Sequence, residues 1–290
     1  MNEFRVNEEM VDIFFLGAGK PVSGERPSAL KKMGASTCAL DWQLHSLETI
    51  ECKKINFLGG YHVEEVIERY PQLHYTVIPD WQTKSIFYTL SEAHLRRVPT
   101  VITYADTIFR KEIIAQVAKS NADVTILCDS HWERRYDGRE KKDLQSAEVI
   151  SLVDGQYCVD GLNKNIIETK VEFTGVVKFS PETTEFVSDL DEGKVGRTLL
   201  DLIGYLFQQG YQINVLDVKG EWAEFNSPRD IAHFILGTKA ETLSRLAPLV
   251  TTCHIGKQVS FKASEWQLNK QETISRINKN FSNAKLIIRS

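Results

Sequence analysis

Residues 12–30 read DIFFLGAGKPVSGERPSAL. Asp12–Leu16 is an apolar run. It empties at once into Gly17, Ala18, Gly19 and Lys20, followed by Gly24, Arg26 and Pro27. This order predicts a buried strand that ends at Leu16 and opens into a glycine-rich, basic loop. Glycine lets a ligand approach the main chain closely. A loop of free N–H groups with cations beside it can cradle an anion. The stretch fits neither G-x-x-x-x-G-K-[ST] nor G-x-G-x-x-G. Taken alone, it is as well read as an ordinary tight strand-to-helix turn.

Outward from this segment, strand-like and helical runs alternate. Strands are expected at 12–16, 54–58 (KINFL, closing on Gly59-Gly60), 74–78, 99–104 (PTVITY) and 123–128 (DVTILC). Helices are expected between them at 38–49, 63–70, 86–95 and 112–120. In 38–49, Leu40, Leu44 and Leu47 recur at helical spacing. Such βαβ alternation predicts an α/β fold, with a mostly parallel sheet flanked by helices on both faces. In sheets of this kind, ligands sit at the carboxyl ends of the strands.

After residue 130 the rhythm changes. Runs at 147–153 and 156–161 form a hairpin pattern around Asp154-Gly155. Residues 168–179 form a long extended run. A helix is expected at 196–209, a strand at 212–218, and a helix at 227–235 capped by Ser227 with Pro228 at its first position. The second half is therefore expected to add a smaller α+β lid to the parallel core. Residues 238–290 read as a separate piece, with helices at 238–249 and 264–280 and a strand at 285–289 (KLIIR). The domain expectation is 1–237 for the core with its lid and 238–290 for a linker plus the start of a further domain.

Composition excludes several classes. The chain has 290 residues, 42% hydrophobic and 26% charged, ordinary values for a globular protein. A net charge of −4 argues against a dedicated nucleic-acid binder, which carries a basic surplus. No apolar run reaches the ~18 residues of a membrane span. The first ten residues, MNEFRVNEEM, lack the basic start and apolar stretch of a secretory signal. Five scattered cysteines with no C-x-x-C pair indicate neither a zinc site nor a disulfide framework. A cytoplasmic protein is expected, with Cys38 and Cys128 read as buried small hydrophobes. Oligomeric state, a homo-oligomer included, is open at this stage.

Chemistry-bearing residues fall just past the predicted strands. Asp106, in TYADTIFR, follows the fourth strand. A carboxylate there faces the ligand crevice and suits Mg2+, which takes one or two carboxylates plus substrate phosphates. A helix cap or turn role is the competing reading. The stretch GEWAEFNSPRD supplies a second acidic group. Strand alternation puts Trp222, Glu224 and Asn226 on one face. Asp230 already has a reason to be in the first turn of a helix. After the fifth strand, DSHWERRYDGRE brings Asp129, Trp132, Arg134, Arg135, Tyr136 and Arg139. Arginines mixed with aromatics suit an anionic small ligand, and a solvated salt-bridged loop is the alternative. The histidines show no metal-ligand spacing, and no nucleophile-elbow motif is present.

Taken in order, these segments resemble the nucleotidyltransferases that transfer CMP to phosphorylated small molecules, a group that includes choline-phosphate, phosphonate and sugar-phosphate nucleotidyltransferases. The family's L-A-A-G-x-G-x-R and P-K-x-L opening corresponds to Leu16–Lys20 and Gly24–Leu30. Its Y-x-D corresponds to Tyr104-Ala105-Asp106. Its D-x-x-W, Y-x-x-R and A-E stretch corresponds to Asp129, Trp132, Tyr136, Arg139, Ala147 and Glu148. G-x-x-K-F corresponds to Gly175–Phe179, and W-x-E-I-D with its later aspartate to Trp222, Glu224, Asn226 and Asp230. The chain departs from the pattern where Ser28 replaces the lysine of P-K-x-L and where Asn226 replaces an aspartate.

The resemblance implies a Rossmann-like nucleotidyltransferase fold over roughly residues 10–237. It implies a nucleotide site at Leu16, Gly17, Ala18, Gly19, Lys20, Gly60 and Ala105, with Lys20 and Arg26 carrying the charge that Ser28 cannot. It implies Mg2+ held by Asp106 with Glu224 or Asn226, a catalytic Lys178 at the attacking phosphate, and acceptor binding by Asp129, Tyr136, Arg139 and Glu148. The expected partners are CTP and a phosphorylated or phosphonylated small molecule. Residues 238–290 resemble the start of an ATP-grasp kinase of the phosphoenolpyruvate-synthase type, so an attached kinase-like domain is expected. In some bacteria such a kinase phosphorylates a small acceptor, for example the amide of glutamine, for capsule modification. Two other readings stay open: a sugar-1-phosphate nucleotidyltransferase using another nucleotide, and a degenerate nucleotide-binding module that regulates the attached kinase.

Overall fold

The structure is a computed structural model that describes residues 10–21, 25–33, 36–136, 144–145, 147–158, 168–225, 230, 232, 234–235, 237, 239–248, 250–252, 254–261 and 263–281. It divides into two compact units, Met1–Ile231 and Ala232–Ser290.

The first unit is built on strands β1 (Val11–Gly17), β2 (Cys52–Gly59), β3 (His74–Val77), β4 (Thr100–Tyr104), β5 (Thr107–Phe109), β6 (Val124–Asp129), β7 (Val149–Val153), β8 (Gln156–Cys158), β9 (Thr169–Phe179), β10 (Ile213–Asp217) and β11 (Trp222–Glu224). Its main sheet has nine strands among the described residues, in the order β10-β6-β9-β4-β1-β2-β3, with the β7–β8 hairpin attached to the start of β9. β1 pairs in parallel with β2 and β4, β2 with β3, and β6 with β10. β9 runs against them, antiparallel to both β4 and β6. The sheet is mixed and mostly parallel.

Helices cover both faces: α1 (Ala39–Leu47), α2 (Val63–Arg69) and α4 (Lys111–Ala118) on one, α3 (Ile86–Ser91), α5 (Pro181–Ser188) and α7 (Leu199–Gln208) on the other, with a short α6 (Glu192–Val195) between α5 and α7. β1 explains the division. Ile13 and Phe15 pack with Leu40, Val66 and Val117, whereas Phe14 packs with Phe87, Leu90 and Leu202. Alternate residues of a strand point to opposite faces, so a strand apolar throughout is a strand covered twice.

The predicted strands up to residue 128 are all present. The second half departs from the expectation of a lid. Its longest strand, β9, lies in the middle of the sheet because VEFTGVVKF is buried from Val171 to Phe179 on both faces. Among the described residues, only the β7–β8 hairpin and the β5–β11 ribbon lie off the main path of strands. Helix caps follow the sequence. Ser180 accepts from the Thr183 N–H with Pro181 at the first position, and Thr198 and Asp201 form a capping box.

The second unit contains helices α8 (Lys239–Leu246), α9 (Ala263–Leu268) and α10 (Lys270–Asn280). The single helix expected over 264–280 is two, broken at Asn269, whose φ of −132° and ψ of 49° are not helical. Phe261 stacks on Trp266, and Arg276 pairs with Glu265 at 2.8 Å. The helix expected at 227–235 falls largely outside the described residues, and the strand at 285–289 wholly so. No helix among the described residues is long and apolar enough to cross a membrane.

Candidate active site

The carboxyl edge of the parallel strands gathers most of the chemistry. β1 ends at Gly17, where an added Cβ would lie 2.4 Å from the Phe57 ring and 3.1 Å from the Ala105 Cβ. Ala105 is buried, and its N–H donates to the Leu16 carbonyl at 3.0 Å. The glycine loop therefore lies against the turn that carries Asp106. On its other side, Tyr61 N–H donates to the Ala18 carbonyl at 2.9 Å, and a Cβ on Gly60 would come within 2.7 Å of that oxygen. Gly19 is exposed with open space around it.

Asp106 leaves β4 in a turn, and its carbonyl accepts the Phe225 N–H at 2.9 Å. The β5–β11 ribbon then sets Glu224 opposite Thr107. Glu224 is close enough that its charge disfavours ionisation of Asp106. Burial first, then the Glu224 charge, pushes the Asp106 carboxyl up to about 6, against the pull of Lys31 and a hydrogen bond from Ser28. Lys31 is the cation of the site. Its Nζ donates to the Phe225 carbonyl at 2.5 Å. Burial lowers its pKa, and the charges of Asp106 and Glu224 oppose that fall.

A second group lies beside this pair. Arg135 reaches Glu172 at 2.8 Å and Glu224 at 3.5 Å, and its guanidinium sits 3.9 Å above the Trp222 ring. Tyr136 donates its hydroxyl to Glu172 at 2.6 Å. Tyr104 donates to both oxygens of Glu148, at 3.2 and 3.3 Å. Burial raises both glutamates to about 7; Arg135 and Tyr136 resist the rise at Glu172, and Tyr104 resists it at Glu148. Gly175, at φ +79°, admits the Tyr104 ring, which would meet an added Cβ at 2.3 Å.

The raised glutamates have a measurable consequence. Glu172 is 2% exposed, and its folded pKa lies above its ordinary 4.5. Between those two values the folded chain holds a proton that the unfolded chain has released. Its contribution is therefore full at low pH and is lost as pH rises toward about 7. Glu172→Gln is expected to flatten the decline in unfolding free energy between pH 5 and pH 8, followed by urea unfolding. An unchanged slope would show that the proton is not held there.

The expected site residues divide clearly. Leu16, Gly17, Ala18, Gly19, Gly60 and Ala105 come together at the loop, and Asp106 and Glu224 form a pair beside it. Tyr136 and Glu148 stand on the neighbouring acidic group, bonded within the protein. Lys20 lies 5.5 Å from the centre of the Tyr61 ring, and Arg26 pairs with Glu65 at 3.3 Å on the surface. The lysine whose charge acts on Asp106 is Lys31.

Lys178 is a correction. β9 runs antiparallel, so Lys178 pairs with Val101 and Thr125 at the amino edge of the sheet. Three residues beyond Gly175 is about 10 Å along a strand. Its ammonium donates to the carbonyls of Ala118 and Ser120 at 2.7 and 2.5 Å. Asp129 is another correction. It is fully buried, with one oxygen on the His131 N–H and the other on the Trp222 indole, both at 2.8 Å. It orients Trp222 rather than facing an acceptor. Arg139, Asn226 and Gly24 lie outside the described residues.

Lys31, Glu172 and the Tyr104 hydroxyl were not picked out from the sequence. A glutamate inside the apolar run KVEFTGVVKF was the available signal for Glu172, since a buried charge in a strand requires partners. For Lys31 the signal was weaker: a lysine three residues past the position where the family pattern places one.

The fold is similar to those of solved nucleotidyltransferases. The inositol-1-phosphate CTP transferase from T. maritima superimposes with a TM-score of 0.56 over 84% of this chain and 98% of that one, at 16% identity. The CTP:phosphocholine cytidylyltransferase from Streptococcus pneumoniae gives 0.50 over 76% and 96%, also at 16% identity. In sequence, the chain is 17% identical over 214 residues to the CTP:phosphoglutamine cytidylyltransferase of Campylobacter jejuni subsp. jejuni serotype O:2, spanning 66% of this chain and 85% of that protein. No protein-family profile matches the chain.

Proposed function

We propose that this chain is a cytidylyltransferase that transfers CMP from CTP to the phosphate or phosphonate oxygen of a small molecule and releases pyrophosphate. The observation that carries the reading is the Asp106–Glu224 pair, joined by Lys31, next to a glycine loop whose main chain is open at Gly19. The named activities of the sequence relative and of two structural neighbours support CTP as the donor.

In the reaction, an acceptor oxygen bonds to the α-phosphorus of CTP while the bond to the β-phosphate oxygen breaks. Such chemistry asks the protein mainly to align the two groups and to neutralise charge. In this reading the triphosphate would lie against the glycine loop at Gly19, with Lys31 supplying positive charge beside Asp106. Among the described residues, no three His, Cys, Asp or Glu side chains are arranged to hold a metal ion by themselves. Asp106 and Glu224 fit Mg2+ in the form that needs only two carboxylates plus phosphate oxygens. Burial and then the Glu224 charge raise the Asp106 pKa, and a divalent cation bound there would offset both. When bound, Mg2+ would stabilise charge on the transferring phosphoryl group. Arg135, Tyr136, Glu148 and Glu172 lie beside the carboxylate pair, where the acceptor would have to approach. A kinase domain attached beyond this unit would supply a phosphorylated acceptor.

The test is pyrophosphate release with CTP, UTP, ATP and GTP, each combined with phosphorylated glutamine, phosphocholine, a phosphonate and a sugar 1-phosphate. Release with CTP and one non-sugar acceptor is expected. Preference for UTP or GTP with a sugar 1-phosphate would replace the cytidylyl reading. No release with any pair would leave a nucleotide-binding module as the better reading.

A further inference from the structure

We propose that Gln43 is a positioning residue for Asp106, holding the turn that aims this carboxylate. Asp106 lies in the turn between the last residue of β4, Tyr104, and the first of β5, Thr107. Gln43 reaches up from α1 and donates its side-chain amide to two main-chain carbonyls, the Tyr104 oxygen at 2.9 Å and the Thr107 oxygen at 2.5 Å. These oxygens bracket Asp106. The neighbouring residues of α1 secure the far end of β5: the Trp42 indole and the Ser46 hydroxyl donate to the Phe109 carbonyl at 3.0 and 3.1 Å.

Packing alone does not account for a glutamine here. Gln43 is 5% exposed and sits on the inward face of α1 between Leu40 and Leu47. Its Oε1 has no hydrogen-bond partner among the described residues. A buried polar atom without a partner costs stability that an apolar side chain of the same length would not. What glutamine offers is a two-pronged donor at the one place where the main chain turns toward the carboxylate pair. The helix thus transmits the rigidity of the core to the site.

For its activity readout this proposal rests on the transferase reading. The test uses Gln43→Met, which keeps length and helix propensity and removes the donors. The measurements are the unfolding midpoint, kcat and KM for CTP by pyrophosphate release, and Mn2+ affinity with CTP bound, by electron paramagnetic resonance. A shift of the carboxylate by a fraction of an ångström is expected to lower kcat about 30-fold, with KM for CTP within about threefold. Mn2+ is expected to bind about tenfold more weakly. In an Asp106→Asn background, Gln43→Met should cost nothing further in kcat, because the two residues act as one unit. An equal loss in that background, or a loss matched by the unfolded fraction, overturns the proposal. Should Gln43→Met fold poorly, Gln43→Asn carries the same test, since its shorter arm cannot bridge both carbonyls. Wild-type protein that binds Mn2+ with CTP but releases no pyrophosphate defeats the transferase reading, and the Mn2+ affinity of the variant still decides the role of Gln43.

Discussion

Asp106→Ala is expected to lower kcat about a thousandfold or more while leaving the fold intact. Metal-mediated charge stabilisation is worth several kcal/mol, and each ~1.4 kcal/mol is a factor of ten in rate. Asp106 also has a site-specific reason to matter. Its carboxyl is held at a raised pKa of about 6 by burial and by Glu224, a strain that serves no structural purpose. Alanine removes the charge and relieves the repulsion, so folding stability should hold or rise. The check is steady-state pyrophosphate release at saturating CTP and Mg2+, with an unfolding curve for the same sample. Activity within tenfold of wild type would remove Asp106 from the metal role.

Lys31→Met comes second, with kcat/KM for CTP expected to fall about a hundredfold. Hydrogen bonds to charged groups contribute about 1.5–3 kcal/mol, and the upper half of that range corresponds to this loss. Lys31 holds the Phe225 carbonyl and faces both carboxylates, so the variant also removes the charge that favours ionised Asp106 and leaves Arg135 to Glu224. Lys31→Arg should not restore the activity, because a planar fork does not replace a compact ammonium in a tight site. Lys20→Met and Arg26→Met serve as comparisons on the same loop and should each cost less than Lys31→Met. A Lys31 variant within threefold of wild type would return the charge to Lys20 and Arg26.

Much of the fold was legible because the signal was local. The apolar runs at 12–16, 99–104 and 123–128 and the helical spacing of Leu40, Leu44 and Leu47 are properties of short windows. The reversed direction of β9 is not: apolar periodicity shows that a strand is buried, not which way it runs. That one unknown explains the misplacement of Lys178, since reversal carries the end of β9 to the far edge of the sheet. Asp106 was legible as a residue just past a strand and Glu224 as one on the face of a strand, both in a recognisable order. Lys31 and Gln43 were not, because their roles depend on contacts spanning 194 residues to Phe225 and 64 to Thr107.

The central place of β9 also governs how the molecule can be made. The strands β4-β1-β2-β3 form one block and β6 with β10 another, and only β9 joins them. The first block is complete by residue 104, but its joining partner spans residues 169–179. A growing chain therefore carries a raw edge on β4 while some sixty further residues are synthesised. Pairings of this sequence separation close slowly and expose strand edges that invite association. Glu172 arrives with the joining strand, and Glu224 arrives after it. The glycine loop and the Asp106 turn thus exist early as an unfinished half, and the acid cluster beside them appears only when the sheet is sealed.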